Sequence, residues 1–592
     1  MSAQSSRFFR HCAHSLLLLA GVASLAACGD DKVGGAASAA PAADLLFTNA
    51  RVYTVEAGQP WAEAVAIDDG KIVAVGSAAD LKAYQGEGTQ VVDLGGRLLM
   101  PSFGDAHVHP VFGGLSYSRC SLHAGKTVED YQRIIKGCLD SHPGTDAVFG
   151  VGWQDGLFPP NGIPRKEVLD ALSSDRALIF SNVGGHSYWV NSKALAVAGI
   201  TKDTPDPENG TIDRDPVTKE PIGGLQESAM ALVEAQIPQP TQEELEQSIV
   251  YTSKLFNSLG ITNWHDALVE VAGDGSSAVL EAYRAVKERG ELTNHVALAL
   301  KWENGKGLEQ IPALRQAAAR AETLGFKARA VKFFADGVIP QHTAAMIEPY
   351  SDDPHNHGTL QITPEMFNAA VTQLGAQGVQ PYVHAIGDMA TRASLDAFAA
   401  AKAANGTLYR PMITHMNVVD PPDWPRFGEL GVIAQFQATW SSNYPYMDLT
   451  KQVIGPERSQ WIYPANSLLK AGAVIAYGAD WPVATADPLA GLQVATTRVN
   501  YEDTATPPLL PDEAVSLEEA VKAYTINVAY ANSMEDFTGS IAKGKSADLV
   551  VLDQDIFKID RMQIAKTKVM LTLFEGKPVH GALDQFKSQP AP

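Results

Sequence analysis

The chain has 592 residues, 46 basic against 67 acidic side chains, and a net charge of −21 at neutral pH. Hydrophobic residues make up 45% of it, enough to bury a sizeable core. The acidic balance gathers into no basic patch, which excludes nucleic acid as a partner and otherwise speaks of solubility.

In chain order, Arg7 and Arg10 precede an apolar run over 16–27 that ends in Leu25-Ala26-Ala27-Cys28. The run is too short to span a bilayer and has the charged and apolar regions of a secretory signal. Its end resembles a bacterial lipoprotein box. That makes 1–27 a signal peptide and Cys28 a lipidated N-terminus on the periplasmic side of a bacterial membrane; the alternative is an ordinary signal cleaved nearby. No other segment is apolar enough to cross a membrane. The Gly/Ala/Ser-rich 28–43 reads as a flexible tether.

Over 44–100 short alternating runs are divided by Gly and Asp turns, with DDGK marking a hairpin. SADLVVLD and VMLTLFEGKPV, within 536–582, are similar strands, and 583–592 is a tail. Of four cysteines, Cys12 leaves with the signal and Cys28 takes the lipid. Cys120 and Cys138 remain, and in an oxidising compartment they form a disulfide or stay as two buried thiols.

The segment 101–535 carries the chemistry. In GDAHVHP, His107 and His109 point to the same side of a strand and could share one ion. ARAVKFFADG, PYVHAIGD, PMITHMN and AYGADWPV then end apolar runs with Lys332, His384, His415 and Asp480. Functional side chains at successive strand ends are the layout of the C-terminal rim of a (β/α)8 barrel. The interval from His109 to Lys332 exceeds two or three units of about thirty residues, so it must hold an inserted cap, at about 150–235. Within it Trp153, His186, Trp189 and Asn191 are candidate substrate residues, with packing inside the cap as the alternative. His265, in GITNWHDA, is a further substrate candidate at a strand end. From 363 onward helices and strands alternate, and their spacing puts His384, His415 and Asp480 on strands five, six and eight. SLEEAVKAYTINVAYA reads as one amphipathic helix capped by Ser516.

These motifs, with GWQDG, GGHSYWVNSKAL and GSIAKGKSADLVVLD, resemble the metal-dependent amidohydrolase superfamily. The resemblance is to its amidohydrolase-3 branch, which includes N-substituted formamide deformylase-like proteins. It implies an α/β fold, a (β/α)8 TIM-like barrel with an inserted cap, and a small β-sandwich built from both termini. It also implies a site in which His107, His109 and Asp480 hold one ion and His384 and His415 another, bridged by an N6-carboxylated Lys332.

Imidazole and carboxylate ligands suit zinc or a similar first-row divalent ion. An ammonium about 4 Å from such an ion would be repelled by roughly 8 kcal/mol at an effective dielectric of 20, so Lys332 must be neutral, carboxylated or distant from it. One ion with Lys332 as a bystander is the alternative to two. Four departures from the family pattern stand out: Ser102, Gly104, and Thr414 and Asn417 around His415. The implied activity is hydrolysis of an amide or N-formyl C–N bond of a small molecule by metal-bound hydroxide, with Asp480 as catalytic base. Ester, lactone or cyclic-amide hydrolysis is one alternative, and a non-catalytic periplasmic binding or regulatory lipoprotein is another.

Overall fold

The computed structural model describes residues 42–586 apart from 142, 145, 146 and 160; the segment 1–27 expected as a signal peptide, and Cys28, lie outside the described residues. Eight apolar runs form one parallel sheet that nearly closes on itself: β1 (Phe103–Val108), β2 (Ile261–Val269), β3 (His295–Lys301), β4 (Lys327–Phe334), β5 (Gln380–Ala385), β6 (Met412–His415), β7 (Ile433–Phe436) and β8 (Val474–Tyr477). Strands covered on both faces read as near-continuous apolar runs, as these do. Helices such as Pro364–Gly375 and Asp388–Asn405 fill the outer layer in the regular alternation expected.

The lumen floor is lined by small residues, Ala106, Ala267, Ala299, Ala330 and Ala476, which leave room for Tyr382 and for Val528 and Ala531 from below. This changes the helix expected at SLEEAVKAYTINVAYA. It breaks at Thr525 (φ −129°, ψ −95°) into Leu517–Ala523 and Ile526–Ala531, and the second piece turns to plug the barrel. Gly104 follows from the same plug, because a Cβ there would lie 2.7 Å from Val528 Cγ1 and from the Asn263 amide.

β1 and β8 close the barrel without a regular ladder. The Asp105 carboxylate accepts the backbone N–H of His107 (2.9 Å) and of Ala479 (3.1 Å). Asp480 N–H donates to the His107 carbonyl (2.7 Å), and His109 N–H to the Trp481 carbonyl (2.9 Å). Gly478 permits this approach, since a Cβ would fall 2.5 Å from His107 N.

The cap is a six-stranded sheet between β1 and β2, and it begins earlier than the sequence suggested, at Cys120–Ser121 rather than about 150. A disulfide joins Cys120 to Cys138 on the helix Val128–Ser141. Trp153 and Trp189 are fully buried in the cap's own core, their indoles donating to the Phe180 and Arg165 carbonyls. Asn191 caps the helix Ser192–Val197 and donates to two backbone carbonyls. The substrate roles expected for these three residues are therefore corrected to structural ones: aromatic rings and a cap asparagine were needed to fold the insertion itself.

Strands from both ends of the chain make two facing sheets. One orders Lys71–Gly76, Ala64–Asp68, Leu45–Thr48 and Gln90–Asp93; the other includes Arg51–Tyr53, Leu98–Pro101, Leu549–Leu552 and Val569–Phe574. They enclose a core containing Phe47, Val65, Leu99, Val551 and Leu573.

Asp548 ties this body to the barrel. Its buried carboxylate accepts from His295 Nε2 on β3 (3.0 Å), Thr538 Oγ1 (2.7 Å), Ser546 Oγ (2.9 Å) and Glu575 N (2.9 Å). Burial alone would raise its pKa, but His295 and the other donors hold it below the ordinary carboxylate range. A depressed carboxylate stabilises the fold above its unfolded pKa of about 3.9, and that stability is lost as pH falls through the folded value. Asp548→Ala should therefore cost about 3–5 kcal/mol at pH 7, because four donors lose the buried acceptor they share. Denaturant unfolding at stepped pH should show the gap to wild type narrowing below about pH 4.

Candidate metal centre

The six residues expected as ligands meet at the C-terminal end of the barrel. His107 is fully buried near the end of β1, and His109 follows the strand as the residue before the helix Pro110–Ser118. Lys332 lies two residues from the end of β4, His384 one from the end of β5, and His415 closes β6. Ring centroids of His107 and His415, and of His384 and His415, are each 4.7 Å apart. Asp480 Oδ1 is 3.0 Å from His109 Nε2 and 3.4 Å from His107 Nε2, and Oδ2 is 3.7 Å from His415 Nδ1.

Strand alternation alone would not gather these groups. Thr414 pairs with His384 and faces inward, so the next residue should face out. His415 turns back because its φ is +76°, with Met416 following at +43°; Asp480 likewise sits at +56°. Left-handed backbone at non-glycine residues costs about 1–3 kcal/mol each and collects at functional sites.

A chain of amides sets the imidazole tautomers. Gln435 Nε2 donates to the Phe436 carbonyl (2.9 Å), so its Oε1 is the acceptor for Thr414 Oγ1 and for Gln437 Nε2 (3.0 Å). With its proton spent on Gln435, Thr414 accepts from His107 Nδ1 (2.9 Å), and Gln437 Oε1 accepts from His415 Nδ1 (3.0 Å). His384 Nε2 donates to the Gly337 carbonyl (3.1 Å). His107 Nε2, His415 Nε2 and His384 Nδ1 are thus left as lone pairs.

Burial pushes the pKa values of His107, His384 and His415 well below the ordinary histidine range, with repulsion from Lys332 and from other imidazoles adding to it, so all three are neutral at pH 7. His107, His415 and Asp480 each offer a donor atom within 4.8 Å of one another. Imidazole lone pairs and a carboxylate gathered in one buried site are what a divalent cation resolves, so the residues fit such an ion.

Lys332 is buried, its Nζ 3.5 Å from His107 Nε2 and 4.7 Å from the Tyr382 ring centroid. Burial brings its pKa down to about 7 despite the pull of Asp480. His265 is corrected as a substrate residue. It lies in the middle of β2 rather than at its end, buried against Tyr382 with ring centroids 5.0 Å apart, below the cavity.

The cavity above the centre is about 310 Å³ and is lined by His384, His415 and Asp480 from the barrel and by Asp155, Asn182 and His186 from the cap. His186, alone of the cap residues singled out in the sequence, reaches it, with Nδ1 3.0 Å from Glu227 Oε2 and its ring 5.3 Å from that of His384. Burial disfavours the His186 cation, but Glu227 raises its pKa overall. Asp336, just beyond β4, was also missed: its carboxylate accepts N–H bonds from Ala345, Ile386 and Gly387 and fixes the loops around His384. Period-two spacing in QFQ was the available sign for Gln435 and Gln437.

The amidohydrolase family profile matches residues 90–580. The chain belongs to the amidohydrolase family. Among its relatives it is 29% identical to the protein LONG AFTER FAR-RED 3 of Arabidopsis thaliana, over 91% of this chain and 92% of that one. It is 25% identical to the N-substituted formamide deformylase of Arthrobacter pascens, over 90% and 97%. An uncharacterized metal-dependent hydrolase from Pyrococcus horikoshii shares the fold, with a TM-score of 0.66 at 22% identity over 87% of this chain and 99% of that structure. This amidohydrolase departs from the family pattern at Thr414, and its hydrogen bonds explain the residue: a hydroxyl suffices to orient His107.

Thr414→Val keeps the shape and removes the acceptor for His107 Nδ1–H. Metal affinity measured by chelator competition should fall about 10–100-fold, the usual effect of losing a ligand's orienting partner, while Thr414→Ser stays within a few-fold.

Proposed function

We propose that this amidohydrolase-family chain is a metal-dependent hydrolase that cleaves a C–N bond in a small amide or N-formyl compound. His107, His109 and Asp480 would hold one divalent ion, zinc or a similar metal, and His384 and His415 a second. Lys332, carboxylated on Nζ, would contribute to both. A bound divalent ion polarises a carbonyl oxygen and lowers the pKa of water to about 7.

The observation that carries the reading is the state of Lys332. It is 1% exposed, forms no ion pair among the described residues, and faces a lone pair on His107 and the rings of Tyr382 and Phe334. A buried amine in such surroundings favours its neutral form, which adds carbon dioxide with loss of one proton to give a carbamate anion. That anion supplies the negative charge the imidazoles lack. The name of the Arthrobacter relative supports an N-formyl or related amide as the scissile group.

The chain's residues divide the remaining work. Asp480 lines the cavity and takes a proton from the attacking water on its carboxylate, then passes it to the leaving nitrogen, whose departure as an anion would be prohibitive. The cap encloses the substrate and limits bulk water. We further propose that 1–27 directs export and that Cys28 carries the lipid; the mature N-terminus should have an acyl mass that Cys28→Ser abolishes.

Metal analysis followed by a screen of N-formyl and N-acyl compounds tests the main reading. Lys332→Ala should lose one or both metals and most turnover, with partial return on adding a short-chain carboxylic acid. A fully active Lys332→Arg would overturn the carbamate, since Arg keeps its charge. Asp480→Asn, compared at equal metal content, should be slower by about 10² to 10⁴; a rate within a few-fold of wild type would remove Asp480 as the base.

A further inference from the structure

The cavity over the centre is strongly one-sided in its polar groups. Among the described residues that line it there is no lysine or arginine, while Asp155, Glu502 and Asp480 bring carboxylates. Asp155 comes from the cap, in the turn Asp155–Leu157, and is 4% exposed. Its Oδ1 accepts from Gln341 Nε2 (2.8 Å) and Asn182 Nδ2 (3.3 Å), and its Oδ2 from Asn182 Nδ2 (3.2 Å). Asn182 is locked in turn, its Oδ1 accepting the backbone N–H of His186 (3.0 Å) and Ser187 (3.2 Å). The carboxylate is therefore held by neutral amides and forms no ion pair among the described residues, although His186 on the same cavity attracts it.

Two further acceptors on the same cavity are unpartnered. Asn417 Oδ1, on a residue 1% exposed, and Gln341 Oε1 are both buried without a hydrogen bond. Buried acceptors without donors and a buried carboxylate held by neutral amides with no direct ion pair are each costly, so a site that keeps them together is built for a ligand that brings donors and positive charge. Burial raises the Asp155 pKa to about 6, which still leaves the group ionised at neutral pH.

Aromatic faces complete the wall. Tyr444 and Tyr446 stack with ring centroids 6.2 Å apart, and Trp440 stacks on His415 at 5.6 Å. The Asp155 turn packs against the segment carrying these tyrosines, where a Cβ on Gly156 would lie 3.2 Å from Pro445 Cβ. Ring faces attract cations, most strongly where water is excluded.

We infer that the cavity selects cationic substrates: the part of the molecule that is not cleaved carries a protonated amine or quaternary ammonium, received by Asp155 with the rings of Tyr444 and Tyr446 beside it. The substrate class would then be amides of diamines or amino-bearing aromatics, and amides bearing a free carboxylate on that part would be rejected. This rests on the hydrolase reading above, so the test separates the two.

The binding arm uses benzyltrimethylammonium, which cannot ligate a metal, titrated calorimetrically into the metal-loaded full chain. Binding should weaken at least tenfold in Asp155→Asn, with thermal unfolding checking that the variant is folded. The kinetic arm compares N-benzylformamides bearing a para aminomethyl, hydroxymethyl or carboxyl group on the wild type. kcat/KM should be at least tenfold higher for the aminomethyl than for the hydroxymethyl compound, with the carboxyl compound slowest, and Asp155→Asn should bring the first ratio to about one. If Asp155→Asn fails to fold, the wild-type order alone decides. Formamide turnover without charge preference, or a preference unchanged in folded Asp155→Asn, overturns the cation site and leaves the hydrolase reading standing. Asp155-dependent binding of the ammonium with no amide turned over supports the cation site and overturns the hydrolase reading.

Discussion

The junction of the first and last barrel strands is the constraint on which the centre depends. Asp105 replaces missing ladder bonds by accepting from Ala479 and His107, and the crossing bonds Asp480 N–H to His107 O and His109 N–H to Trp481 O hold the strand ends in fixed register. Because His107 lies on, and His109 and Asp480 lie just beyond, the two strands that meet there, closing the barrel and assembling half of the ligand set are one event. A polar side chain in place of a ladder also gives the freedom that a regular pair would deny. It lets Asp480 adopt a left-handed backbone and turn its carboxylate toward the imidazoles.

A second layer converts that register into chemistry. The Phe436 carbonyl fixes the orientation of Gln435, which fixes the hydroxyl of Thr414 and the amide of Gln437, and through them the protons of His107 and His415. One backbone carbonyl on β7 thus decides which imidazole nitrogens carry lone pairs. All members are buried, where such hydrogen bonds are strong and a broken one is expensive, so the arrangement is stiff before any ion arrives.

The barrel and its rim residues were legible in the sequence because histidine, lysine and aspartate at the ends of apolar runs are conspicuous against their surroundings. The inward turn of His415 was not, since it depends on a backbone angle rather than a residue type. Trp153, Trp189 and Asn191 misled for a physical reason: rings and amides in a turn-rich insertion look the same whether they face a ligand or the insertion's own core. Gln435 and Gln437 were overlooked because an uncharged amide on a buried strand gives no contrast. Gly104 and Thr414, noticed only as departures, acquire their meaning from neighbours far away in sequence, the plug residue Val528 and the ring of His107.

The strand Leu98–Pro101 runs parallel to Arg51–Tyr53 on one side and antiparallel to Leu549–Leu552 on the other. Its second edge stays open until the far end of the chain is available to pair, because its partner lies about 450 residues on. An open edge beside an uncovered apolar face is a template for association with other chains. A chain that lacks its last strands would therefore carry an open, adhesive half-sheet beside its barrel, so the far end of the sequence protects the near end from association.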